Sequence, residues 1–246
     1  MQINDELIHE FIESVNWDKV KDHPFAQDED YAIEDAYDRD LFFHDSGVSK
    51  IVLIPIDNQE KFVIKVPFHD YWGFSSGGYC NGDYEEGDYD FIAMSNAINP
   101  VTDTYTWDYC DREVGLYQVA KERGIDRCFP TTAVYCEDPY PIYVQEKCVE
   151  VYSNLAPKEI NYSDDEYYEI KDHFPINSIK RNYLNSFNSV WVVNFVEWYS
   201  LDVLKQFLDF LVEFEISDLH SGNYGYSAID NRPVIIDFAG FAEDEA

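Results

Sequence analysis

The sequence predicts an α+β protein of two lobes, with strands crowding the first part and helices the second. Three observations carry this. Val- and Ile-rich runs around short polar turns recur up to Glu150. Further on, Leu204, Phe207, Leu208 and Leu211 fall at i, i+3, i+4 and i+7, the spacing of a helix with one buried face. With 246 residues, 46% of them hydrophobic and 17% aromatic, the chain can fill one large core or two smaller ones.

Taken in order, residues 1–40 form an acidic N-terminal segment. A short amphipathic helix is expected around Asp5 to Val15, followed by the acidic run DEDYAIEDAYDRD. Residues 41–148 read as the β-rich lobe. GVSKIVLIPID and KFVIKVPF flank the polar NQEK, the pattern of an antiparallel hairpin. FFHDSGVSK, before the first strand, reads as a loop. Residues 69–106, dense in Gly, Asp, Tyr and Ser, read as a long loop or insertion. WDYCDREVGLYQVAKERGID predicts a helix stopped by Gly124, and TTAVYCEDPYPIYVQEKCVE a second hairpin turning at EDPYP. Residues 149–246 form the helical lobe, with the join near Glu146 to Glu150. Residues 151–188 are polar without a clear pattern, Ser189 to Phe214 is helical, and YGYSAIDNRPVIID is a strand pair.

Forty-nine Asp and Glu against seventeen Lys and Arg give a formal charge of −32. That field repels phosphate and excludes direct nucleic-acid binding. It equally opposes anionic membrane surfaces and favours a basic protein partner. No stretch approaches the roughly 20 apolar residues of a membrane helix, and the acidic start is unlike a secretory signal. Five cysteines without a Cys-x-x-Cys pair indicate neither a disulfide framework nor a zinc site. A cytoplasmic protein is the simplest expectation.

Chemistry concentrates near the end. Asp218 precedes Asn223 by five positions, and Asn223 precedes Asp237 by fourteen, across a polar loop and a hairpin. Oxygen ligands from Asn and Asp suit a hard cation such as Mg2+, which keeps waters and phosphate oxygens as its other ligands. A further carboxylate can orient or deprotonate a hydroxyl. The bland alternative is that Asp and Asn here only cap turns.

The motifs Asp218-Leu219-His220-Ser221-Gly222-Asn223 and Val234-Ile235-Ile236-Asp237-Phe238-Ala239-Gly240 resemble those of the protein-kinase-like superfamily, which includes the aminoglycoside phosphotransferases. The loop is closer to the small-molecule and atypical bacterial or phage kinases than to typical eukaryotic protein kinases. Two upstream matches extend the resemblance: Phe62-Val63-Ile64-Lys65 at a strand end, and Glu113 on the following helix, with Glu122 as the other choice. The resemblance implies a two-lobed kinase-like fold with a β-rich N-lobe and a truncated helical C-lobe, since little sequence follows Gly240.

It also implies ATP and Mg2+ as cofactors. Lys65 would neutralise phosphate charge and Glu113 would position Lys65. Asp218 would accept or orient the substrate hydroxyl, and Asn223 and Asp237 would hold Mg2+. Backbone groups near Gln145 to Cys148 would meet the adenine, and His220 would brace its loop by hydrogen bonds. Two functions stay open: an ATP-dependent phosphotransferase acting on a hydroxyl compound or on protein, or an inactive pseudokinase. In its sharpest form the second is an acidic, phage-type inhibitor or nucleic-acid mimic that binds a basic protein.

Overall fold

A computed structural model describes residues 1–22, 33, 41–46, 50–67, 98–105, 108–157 and 162–239. The acidic run after residue 27 apart from residue 33, most of the 69–106 segment, Gly47 and Gly240 lie outside the described residues. The chain is α+β and falls into two units. One comprises residues 1–114 and 132–145, the other 115–131 and 146–246.

The first unit is built on a five-stranded sheet of order β1-β2-β3-β7-β6. Its strands are β1 (Phe42–Ser46), β2 (Lys50–Pro55), β3 (Phe62–Pro67), β6 (Thr132–Cys136) and β7 (Ile142–Glu146). The pairs β1–β2, β2–β3 and β6–β7 are antiparallel. FFHDS, expected in a loop, is thus an edge strand. Only Phe42 of its first three side chains is buried, so its apolar signal is too short to read in isolation.

Helices α1 (Asp5–Ser14) and α2 (Trp17–Asp22) cover one face of the sheet. Asn4 caps α1 by accepting from the Leu7 N–H, and Asp5 and Glu6 complement the positive end of the helix. Ile8, Phe11, Trp17 and Val20 then pack with Ile51, Leu53, Phe62, Ile64, Val66, Ile142 and Val144. Alternation along each strand sends Lys50, Val52, Val63, Lys65, Tyr143 and Gln145 to the opposite face.

Two further elements complete the first unit. Within the 69–106 segment, β4 (Ile98–Asn99) and β5 (Thr104–Tyr105) form a small antiparallel ladder. Helix α3 (Tyr109–Glu122) contributes its residues through Val114 to the first unit and the remainder to the second. It stops at Gly124, whose φ of +73° is a conformation that favours glycine.

The second unit combines a three-stranded antiparallel sheet with helices. The strands, in order β10-β9-β8, are β10 (Pro233–Ile235), β9 (Tyr224–Ser227) and β8 (Cys148–Glu150). The helices are α4 (Asp164–Asp172), α5 (Ile179–Ser186), α6 (Ser189–Tyr199) and α7 (Leu201–Glu213). The first two arise where the sequence showed no clear pattern; Ser163 and Ser178 cap them. Trp191, Phe195, Phe207, Phe210, Phe129 and Phe238 form an aromatic core. The Trp191 indole N–H donates to the Gly225 carbonyl at 2.8 Å, so the ring packs without leaving its donor unpaired.

Candidate functional site

In the first unit two of the candidate residues meet. The Lys65 ammonium lies 2.7 Å from Glu113 Oε2, and the Lys50 ammonium 3.4 Å from Oε1 of the same carboxylate. Glu113 has no exposed surface. The glutamate paired with Lys65 is therefore Glu113, while Glu122 is exposed, on the part of α3 that belongs to the second unit.

The start of α3 explains how Glu113 is held. Asp108 Oδ1 accepts from the N–H groups of Cys110 and Asp111 at 2.7 and 3.2 Å, an N-terminal cap. Its other oxygen accepts from the Tyr143 hydroxyl on β7 at 2.5 Å. Burial pushes the Asp108 carboxyl up to about 6, against the hydrogen bonds from Tyr143 and the helix amides. Asn99 adds a second tie, donating to the Asp111 carboxylate at 2.9 Å. The cap fixes the helix end to the sheet, and Glu113 follows about one turn later on the face that meets Lys65.

The second unit carries the acidic loop. Ile216 and Leu219 are buried and pin it to the aromatic core, whereas Asp218 and His220 are exposed. The Gly222 N–H donates to His220 Nδ1 at 3.1 Å, and His220 Nε2 sits 3.7 Å from Asp218 Oδ1. The histidine thus braces the loop. A Cβ on Gly222 would lie 3.0 Å from that exposed ring, which would have to shift to admit it.

Asn223 is buried, and its side-chain amide donates to the Asp218 carbonyl at 2.9 Å. That bond orients the amide and leaves Oδ1 as its acceptor. The Asn223 carbonyl accepts from Ile236 N–H at 2.6 Å and Asp237 N–H at 3.4 Å, which joins the loop to the strand end carrying Asp237. Asp237 is half-buried, and the next residue, Phe238, packs on Phe129 at 5.0 Å between ring centroids. Asp218, Asn223 and Asp237 are therefore linked through one short hydrogen-bonded stretch.

One amide oxygen and one carboxylate fit a cation that takes its remaining ligands from phosphate and water. They do not make a closed protein site, and among the described residues no group of three His, Cys, Asp or Glu could hold a metal by itself.

The segment expected to meet adenine is partly engaged already. The Glu146 N–H donates to the Thr131 carbonyl at 2.8 Å, and the Lys147 carbonyl accepts from Ala228 N–H at 2.9 Å. Glu146 itself belongs to a buried network that the sequence did not reveal. Its carboxylate pairs with Arg232 at 2.7 Å and accepts from Ser227 and from the Thr131 N–H. Burial raises its pKa, but the Arg232 and Ser227 hydrogen bonds outweigh that and hold it below the usual range. Gln145, also buried, has an amide nitrogen without a hydrogen-bond partner among the described residues. Lys50 was missed too, although a lysine in phase with Val52 and out of phase with Ile51 and Leu53 was visible in the strand pattern.

Comparison with protein-family models, curated proteins and solved structures gave no match. Among the described residues no helix is long and apolar enough to cross a membrane.

Proposed function

We propose that this chain is a minimal kinase-like protein that binds Mg-ATP and transfers its terminal phosphoryl group to a hydroxyl acceptor. The observation that carries the reading is the buried Lys65–Glu113 pair. The two residues stand on separate segments, 48 positions apart, and they meet at 2.7 Å. A lysine on the third strand held by a glutamate of the next helix is the arrangement that protein kinases use for nucleotide phosphates. Stability alone is a weak reason to keep such a pair, since an apolar replacement of similar volume often does as well.

Within this reading the two-lobed kinase-like arrangement is part of the proposal. Lys65 compensates phosphate charge and Glu113 keeps its ammonium in place. Asn223 and Asp237 hold Mg2+, which when bound neutralises charge on the phosphates. Asp218, exposed on its braced loop, orients the acceptor hydroxyl and takes its proton. The acceptor oxygen bonds to the terminal phosphorus as the bond to the ADP oxygen breaks.

Incubation with terminally labelled ATP and Mg2+ tests this. Label should pass to a hydroxyl acceptor or to the protein, and Asp218→Asn should abolish transfer while ATP binding persists. A wild type that binds ATP but transfers nothing to any hydroxyl offered would leave a nucleotide-binding pseudokinase.

The charge of −32 favours a second reading, an inactive acidic protein that binds a basic, nucleic-acid-binding protein. Affinity for such a partner would fall steeply with added salt, whereas phosphoryl transfer would not require one.

A further inference from the structure

The face of the first sheet that carries Lys65 carries a second lysine. Val52 pairs with Lys65 and Lys50 with Pro67 in the antiparallel register of β2 and β3. Residues two apart on a strand share a face, so Lys50 and Lys65 are diagonal neighbours across the two strands. Both ammonium groups reach Glu113, one to each carboxylate oxygen. Lys50 is 5% exposed and Lys65 3%.

A strut for α3 needs one lysine on that glutamate. A second buried ammonium beside the first concentrates positive charge on that face, which suits an anionic ligand. The distances differ in kind. At 2.7 Å the Lys65 contact is a full charge-assisted hydrogen bond, whereas 3.4 Å lies at the outer edge of that range. Glu113 thus grips Lys65 more tightly than Lys50. The segment between β1 and β2, Gly47-Val48-Ser49, has a single glycine and leads directly into Lys50. Kinases cover the ATP phosphates at this point with a glycine-rich loop, so a chain poor in glycine there has reason to use a side-chain cation.

We infer that Lys50 is a second phosphate-binding lysine, acting with Lys65 on the terminal phosphates of the nucleotide. This rests on the Mg-ATP reading and adds to it a residue that discriminates by phosphate number.

Calorimetric titration of wild type, Lys50→Met and Lys65→Met with ATP, ADP and AMP tests it, with thermal melts to establish that each variant is folded. Lys50→Met should weaken ATP binding by about tenfold or more, the value of a charged hydrogen bond. AMP affinity should change by less than roughly twofold, so the preference for ATP collapses, which a merely structural lysine would not cause. A folded Lys50→Met that binds ATP as wild type does, or that loses ATP and AMP equally, overturns the inference and leaves Mg-ATP binding intact. A wild type that binds no nucleotide overturns both.

A second measurement needs no variant. An ATP analogue with an acyl group on its terminal phosphate acylates lysines lying there, the amine attacking the carbonyl and releasing the nucleotide. Label should appear on Lys50, suppressed by excess ATP; label on Lys65 alone contradicts the assignment.

Discussion

Glu113 is the residue on which the first unit's polar face turns, because two ammonium groups reach its carboxylate. Glu113→Ala should cost about 3–5 kcal/mol in chemical denaturation, the penalty for leaving buried charge uncompensated. A loss below about 1 kcal/mol would mean that the pair is far more solvated than its burial indicates. Asp108 makes an opposite kind of prediction. Its carboxyl is pushed from 3.8 to about 6 by burial, so the folded state holds the proton more tightly than the unfolded one. Stability should therefore decline as pH rises through that window, by about 3 kcal/mol from this group. Asp108→Asn keeps a capping side chain and should flatten that slope in melts between pH 4 and about 7. Lys65 and Glu113 were reached through the family motifs around them, and the structure brings the pair together. Lys50 lies outside those motifs: the alternation of its strand gives its phase, and the strand register gives its place beside Lys65.

The elements were legible where periodicity was strong. The hairpin around NQEK, the helix ending at Gly124 and the Leu204–Leu211 stripe all appear where the pattern placed them. Helices α4 and α5 were hidden because each buries little: Ile170 in one and Leu184 in the other are their buried residues. Strand β8 was obscured for a different reason, being three residues whose partner, β9, lies far along the chain. That pairing is close. A Cβ on Gly225 would sit 2.0 Å from the Val149 carbonyl, so Gly225→Ala must push β8 and β9 apart. Its expected cost is about 3 kcal/mol, read as a lower denaturation midpoint. An unchanged midpoint would show that the strands separate freely.

The same sheet depends on Arg232, which pairs with buried Glu146 and donates to the carbonyls of Arg127 and Phe129. The Glu146 carboxyl is held low in the fold, so its contribution is present above its unfolded value of 4.5 and lost as pH falls through the lower folded one. Arg232→Ala should destabilise the protein by about 3–5 kcal/mol near neutral pH, with a smaller loss in acid once Glu146 is protonated.

At the scale of the whole molecule, the net charge of −32 sets the solution behaviour. Surface carboxylates in such excess repel one another, and salt screens them over about 8 Å at physiological ionic strength. Tm should rise with added sodium chloride, and a Tm that falls would mean that local ion pairs outweigh the global repulsion. The division into two units was only partly written in the sequence. Helix α3 has a single apolar stripe, and nothing in it marks that its start and its end pack into different cores.

The proposed function requires that a chain of this charge bind an anionic nucleotide through a metal held by Asn223 and Asp237. Isothermal titration of the wild type and of Asp237→Ala with ATP, each with Mg2+ and with a chelator, tests it most directly. Heat of binding is expected for the wild type only when Mg2+ is present, and is expected to be lost in Asp237→Ala. A folded wild type that gives no heat with Mg-ATP, or an Asp237→Ala protein that binds it equally well, would contradict the claim.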